Sequence, residues 1–225
     1  MSIDKRKLHS FLYSNGYKYL YHSNVIAISQ LFISQGGLLS KRELKNRGLE
    51  YLLKYSNKLG RSFDTSNDIP VNPLNLGKFY SKFNIHGPVC FVLSIDVLLD
   101  DTLPNVYINS NGVVNEMDTL YCNNMNKYLN IFSSNSNKEF SKLNMIYFKN
   151  YNNVIPFNPY LKKIILETPV TYDKDIDTIV KEGIKSFEDY VHSKNIKVPI
   201  EHYSYIINPK ECNAKLFYIL NKTNP

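Results

Sequence analysis

Hydrophobic residues recur along this chain in two rhythms, and each rhythm predicts its own kind of element. Over 24–35, Val25, Ile28, Leu31 and Phe32 fall on one helical face, with Ser23 or Asn24 placed to cap the start and Gly36-Gly37 to end it. The stretch 41–57 also reads as helix, broken at Gly48. A longer helix begins at Asp173, a capping residue, and buries Ile176, Val180, Ile184, Phe187 and Val191. Asn158-Pro159 reads as a cap followed by proline at the first helical position, and Tyr160, Leu161, Ile164 and Ile165 predict a short helix that stops before Pro169. Continuous apolar runs predict strands at 89–95, entered through Gly87-Pro88, and at 143–149; a shorter strand at 106–109 is closed by Asn111-Gly112. The tail, 197–220, predicts two or three short strands. Two polar stretches separate these elements: 61–75, rich in Pro, Asn, Asp and Ser, reads as a long surface loop, and 123–138 as a polar region around a short element at 128–132. With no repeat, linker or change of composition, the pattern predicts one α+β domain over 1–225.

Composition changes this picture in two respects. At 225 residues and 43% hydrophobic content the chain can bury a substantial core, and no apolar run approaches the roughly 18–20 residues of a membrane span. The N-terminal segment lacks an apolar stretch and a cleavage site, so the sequence is read as a soluble, cytoplasmic protein that makes no membrane contact. The formal charge of +7 favours a polyanionic partner, since each neutralised phosphate releases counterions, although the lysines form no block. The 18 tyrosines and 12 phenylalanines could stack on bases; in a chain without tryptophan they also have to serve as the large core side chains.

Candidate chemistry is sparse. The three cysteines, Cys90, Cys122 and Cys212, are odd in number and form no CxxC pair, so they read as free thiols. The sequence has no Walker loop, GxGxxG, GxSxG or HExxH, and its histidines, His9, His22, His86, His192 and His202, are scattered. It therefore points away from metal and P-loop chemistry. The histidine that stands out is His22, in YLYHSNVIAISQLFISQGGLLS, where an extended segment meets a helix.

That stretch resembles the opening of ADP-ribosyltransferases of the DarT type, in which YHFTH-like residues precede a helix ending in a GLLS-like turn. The resemblance covers about the first fifth of the chain. It implies an α+β ADP-ribosyltransferase-like fold, a split β-sheet with flanking helices around an NAD cleft. It also implies that Tyr21, His22 and Ser23 line that cleft and that Gly37, Leu38, Leu39 and Ser40 form the turn, with Gly37, Leu38 and Ser40 counted among the cofactor-binding residues. NAD is then a substrate, no metal is needed, and the N–H groups opening the 24–35 helix are available to an anionic part of the ligand.

The same resemblance implies an arginine soon after the first helix and a glutamate at the start of a later strand. Arginine suits a pyrophosphate because its planar fork donates two parallel hydrogen bonds. The candidates are Arg42, Arg47 and Arg61, with Arg61 preferred because it opens the polar loop. The glutamate departs from the family pattern: the 143–149 strand carries Asn144 where the acid is expected. Glu139 is the nearest acid and the preferred catalytic partner of Arg61; Glu116 and Glu167 are the further options.

The implied activity is mono-ADP-ribosyl transfer to a base of single-stranded DNA or RNA, by a toxin of a toxin–antitoxin or phage-defence system that a protein antitoxin would restrain. The alternatives are a catalytically inactive nucleic-acid- or protein-binding module of the same fold, which Asn144 favours, and an NAD hydrolase.

Overall fold

The computed structural model describes residues 3–49, 68–73, 87–109, 145–149, 153–171 and 173–206. Helix α1 spans Lys5–Ser14, with the Asp4 carboxylate accepting from the Arg6 and Lys7 N–H groups at its start. Strand β1 is Tyr19–Asn24, helix α2 Ile26–Gln35, strand β2 Gly37–Leu38 and helix α3 Lys41–Asn46. Then follow β3 (Ile69–Val71), β4 (Val89–Ser94), a 3-10 turn at Ile95–Leu99, β5 (Val106–Asn109), β6 (Met145–Phe148) and β7 (Ile155–Pro156). The last described elements are β8 (Leu161–Val170), helix α4 (Lys174–Ser193) and β9 (Ile200–Ile206).

The fold is α+β. A four-stranded sheet runs in the order β1-β4-β8-β9, a three-stranded sheet in the order β3-β6-β5, and β2 pairs with β7. All pairings are antiparallel except β8 with β9, which α4 connects as a parallel crossover. Helices α2 and α4 cover one face of the four-stranded sheet, where Leu20, Val89, Phe91, Ile164 and Leu166 meet Phe32, Val180, Ile184, Phe187 and Val191 in one apolar core. Burying a side chain of this size stabilises by roughly 1.5–3 kcal/mol. This interface explains why the sequence of α4 has its 3.6-residue apolar stripe.

Several expectations are met and several are corrected. Asp173 caps α4 as read, its carboxylate accepting from the Asp175 and Ile176 N–H groups. β4, β5 and β6 fall within the expected runs. The helix expected after Asn158-Pro159 is instead the ten-residue strand β8. Leu161, Ile164 and Ile165 have helical spacing, but the run continues through Leu166 and both sets of alternate residues are buried, Ile164 and Leu166 in the core and Ile165 and Glu167 on the opposite face, a pattern a strand satisfies as well. Helix α2 starts two residues later than read. Its cap is Val25, with no side-chain hydrogen bond, because Ser23 and Asn24 are still in β1; the Asn24 side chain accepts from the Val25 N–H at 2.9 Å. Within the stretch read as a surface loop, Ile69–Val71 is a strand and Asp68 and Asn72 are buried. The short element at 128–132 and the strands expected beyond 206 lie outside the described residues.

Candidate active site

Strand β1 is held from both sides. On one side it pairs with β4 along its whole length, from Tyr19 opposite Ser94 to Asn24 opposite Val89. On the other, Tyr21 and Asn72 exchange backbone hydrogen bonds, Tyr21 N–H to the Asn72 carbonyl at 2.7 Å and Asn72 N–H to the Tyr21 carbonyl at 2.8 Å. This is an isolated bridge, and among the described residues it is the one backbone link between β1 and the three-stranded sheet. One residue further along β1, a side chain takes over from the backbone: His22 Nδ1 lies 2.7 Å from the Pro70 carbonyl. A carbonyl only accepts, so Nδ1 carries the proton and Nε2 is the lone-pair nitrogen.

Strand alternation then divides Tyr21, His22 and Ser23, the triplet named from the sequence. Neighbouring residues of a strand point to opposite faces. His22 points to the helix-covered face, 8% exposed, with its ring centroid 5.5 Å from that of Phe32. Tyr21 and Ser23 point to the other face. There the register aligns Ser23 with Cys90 on β4 and Ile165 on β8, and Tyr21 with Val92. Two residues along β8 from Ile165, on that same face, is Glu167, which is opposite Tyr203 on β9. The second face of the sheet thus presents two hydroxyls, a thiol, a carboxyl group that is 2% exposed and a further tyrosine, around a small apolar patch of Cys90, Val92 and Ile165.

Burial sets the protonation of this face. The Tyr21 phenol is pushed up to about 12, chiefly by burial and further by Cys90, Tyr19 and Glu201. The Cys90 thiol is likewise raised to about 12 by burial, partly offset by a hydrogen bond from the Ser23 hydroxyl. The Tyr21 phenol is therefore a neutral hydrogen-bond donor near neutral pH, and Cys90 is a protonated, inert thiol. His22 on the other face is held below the usual histidine range by burial, against the opposing pull of its bond to Pro70, and is neutral.

The other described candidates have roles elsewhere in the fold. Gly37 sits where any Cβ would run into the Ile155 carbonyl and Val154, which is why β2 can approach β7 closely. Leu38 is fully buried in the apolar core. Ser40 is the cap of α3, its Oγ accepting from the Glu43 N–H at 3.2 Å. The start of α2 is closely approached by Gly87, at φ +128°, whose missing side chain would meet the backbone of Asn24 and Val25. Arg47 is engaged by Glu43 at 2.7 Å, and Arg42 is exposed on α3. Arg61, Glu139 and Glu116 lie outside the described residues. Glu167, the third acid considered, is the one the structure describes. The signal for it was present in IILETPV, where Ile164 and Leu166 alternate with Ile165 and Glu167, but it was masked by the helical reading of the same residues. Among the described residues no group of His, Cys, Asp and Glu side chains is disposed to hold a metal ion, and no helix is long and apolar enough to cross a membrane.

Among solved structures, the chain is similar to DarT from Thermus sp. 2.9. Its complex with NAD+ superposes with a TM-score of 0.47 at 12% identity, over 84% of this chain and 96% of that one. The complex with carba-NAD+ gives 0.44 at 11% identity over the same shares. The complex with ADP-ribosylated single-stranded DNA gives 0.40 at 10% identity, over 86% and 95%. No protein-family model matches the chain, and no curated protein matches it by sequence.

Proposed function

We propose that the chain is a mono-ADP-ribosyltransferase that consumes NAD to modify a base of single-stranded nucleic acid. One observation carries the reading beside the resemblance of its N-terminal fifth: three adjacent strands bring Tyr21, Ser23 and Glu167 to one face of a sheet whose other face is fully spent on the core. A polar face of this kind fits a substrate rich in hydroxyls. Tyr21 donates a hydrogen bond to a ribose hydroxyl of NAD, and the Ser23 oxygen, whose O–H is given to Cys90, accepts one. Glu167 supplies the carboxylate.

In the transfer, the bond between the anomeric carbon of the ribose and the nicotinamide nitrogen breaks, and nicotinamide leaves with the electron pair. A nitrogen of the base forms the new bond to the anomeric carbon, and its proton passes to the Glu167 carboxylate. The anomeric centre gains cationic character on the way, the same problem a glycosidase meets, and a fixed carboxylate beside it stabilises that charge. Arg61 grips the pyrophosphate through its bidentate fork. The +7 charge serves a phosphate-bearing acceptor, and a single strand spares the cost of extracting a base from a duplex. In the cell this activity is that of a toxin in a toxin–antitoxin or phage-defence system, restrained by a protein antitoxin in the cytoplasm.

A second reading, an inactive binding module, is favoured by Asn144 at the position where the resemblance expects the acid. The two are separated by incubating the protein with labelled NAD and single-stranded DNA, RNA or protein, then locating the label by gel and intact mass. Label on nucleic acid supports the transferase. Free labelled ADP-ribose alone would mean hydrolysis, and intact NAD in every reaction would leave the binding module.

A further inference from the structure

We propose that His22 is a positioning residue: by donating from Nδ1 to the Pro70 carbonyl it sets the spacing of the two sheets, and Asp68 with Tyr107 fixes the strand that carries that carbonyl. The consequence for catalysis rests on the transferase reading above. The strut itself does not.

The strand β3 has little of its own to hold it. It is three residues long, lies at the edge of its sheet and contains Pro70, which has no N–H to give to a ladder. A second tie compensates. Asp68, buried one residue before β3, accepts a hydrogen bond from the Tyr107 hydroxyl. Tyr107 is on β5, two strands away, so this bond reaches across β6. The register aligns Pro70, Tyr147 and Tyr107 in one row across the sheet, and the Tyr107 and Tyr147 rings stack at 5.0 Å with an interplanar angle of 6°. The carbonyl of Pro70 is therefore presented from a strand tied to β6 by its ladder and to β5 by the Asp68–Tyr107 bond.

On the other side of the gap, the His22 ring makes one hydrogen bond among the described residues. Its Nδ1 is committed to Pro70, while Nε2 is shut off from solvent and has no hydrogen-bond partner among the described residues. Around it is an aromatic row, Phe32 at 5.5 Å from the His22 ring and Phe91 at 6.0 Å from Phe32. An imidazole packed in this way is tuned for one directional bond, and neutrality suits it to that task. Because Tyr21 and Ser23 are its immediate neighbours in the strand, a change in the bond tilts both of the hydroxyl side chains assigned to NAD.

The test reads the imidazole directly, by long-range nuclear magnetic resonance of the full chain with isotope-labelled histidines. In the wild type, His22 is expected as the Nδ1–H tautomer with a slowly exchanging proton. In Tyr107→Phe, which keeps the ring stack and removes the hydroxyl, that proton is expected to exchange about fivefold faster, the loss of one net hydrogen bond. Asp68→Ala, which removes the acceptor, provides the same comparison should Tyr107→Phe fail to fold. The functional arm is rescue: His22→Asn, whose amide can occupy the Nδ1 position, should keep KM for NAD within about threefold, and His22→Gln, which reaches the Nε2 position, should raise it about tenfold. An Nε2–H tautomer in the wild type, unchanged exchange in the variants, or better function with Gln than with Asn would overturn the proposal. A wild type that never uses NAD would remove the transferase reading and leave the tautomer and exchange rates to decide the strut.

Discussion

Ser23 and Glu167 look out from the same face of the four-stranded sheet, with the Cys90 thiol on the strand between them. The Ser23 hydroxyl bonds that thiol and the Glu167 charge acts on it, so the three groups form one electrostatic unit across β1, β4 and β8. Cys90 in this arrangement is a spacer that stays protonated between the Ser23 hydroxyl and the buried Glu167 carboxyl group.

If that face binds NAD, trimming its hydroxyls should weaken binding and leave the fold intact. Tyr21→Phe and Ser23→Ala are each expected to lower NAD affinity about 5- to 10-fold, the range for one hydrogen bond, with little change in thermal midpoint. Calorimetric titration of the two variants checks this. Unchanged affinity in both would move the ligand off this face.

Cys90 should be silent to thiol reagents in the native state. With Cys122 and Cys212 replaced by serine, the native protein is expected to show essentially no reaction near neutral pH and one reactive thiol after denaturation. The same shifts predict alkaline instability. Native pKa values of about 12 for Cys90 and Tyr21 exceed the ordinary values of 9.0 and 10.0, so the native state binds more protons than the unfolded state at high pH. The stabilisation is complete below about pH 9 and is lost as pH rises toward 12, at a limiting slope of about 1.4 kcal/mol per pH unit for Cys90. Denaturant midpoints measured across that window, for wild type and Cys90→Ala, test the sign.

His22 predicts the opposite slope at acid pH. Its native pKa is depressed below 6.5, so below that value the unfolded state takes up a proton that the native state refuses, and stability falls as pH falls. Replacing His22 with asparagine should flatten the dependence of the thermal midpoint on pH between about 6.5 and 5. An equal slope in the two proteins would show that another group controls acid unfolding.

Two glycines are fixed by close backbone contacts. Gly37→Ala would press a methyl into the Ile155 carbonyl, and Gly87→Ala would press one into the backbone of Asn24 and Val25 while holding φ at +128°. Each should cost about 1–3 kcal/mol or more in denaturant unfolding. Gly16→Ala, at φ +83° with open space around it, should cost less than either.

Elements with a strong single rhythm were legible from the sequence. The stripe from Ile176 to Val191 and the run Val89 to Ile95 led directly to α4 and β4, because each periodicity has one structural solution over that length. β8 was not legible, since Leu161, Ile164 and Ile165 suit a helix face and a strand buried at both sets of alternate residues alike. β3 was hidden because Pro70 and the flanking Asp and Asn residues are turn formers, and what makes them a strand is pairing with β6, remote in sequence. The site was half legible. His22, read as the junction of strand and helix, lies inside β1, and where the resemblance implied that Tyr21, His22 and Ser23 line one cleft, the pleat sends His22 to one face and its neighbours to the other.

The central claim is that this chain transfers ADP-ribose from NAD by means of the face that carries Glu167. Its most direct test is labelled-NAD transfer to single-stranded DNA, with NAD binding measured in parallel, for the wild type, Glu167→Gln and Glu139→Gln. Glutamine keeps the shape and hydrogen-bonding reach of the side chain and removes its charge. The account predicts that Glu167→Gln binds NAD and transfers about 10²-fold or more slowly, while Glu139→Gln stays close to the wild type. Full transfer by Glu167→Gln, or a loss confined to Glu139→Gln, would contradict it.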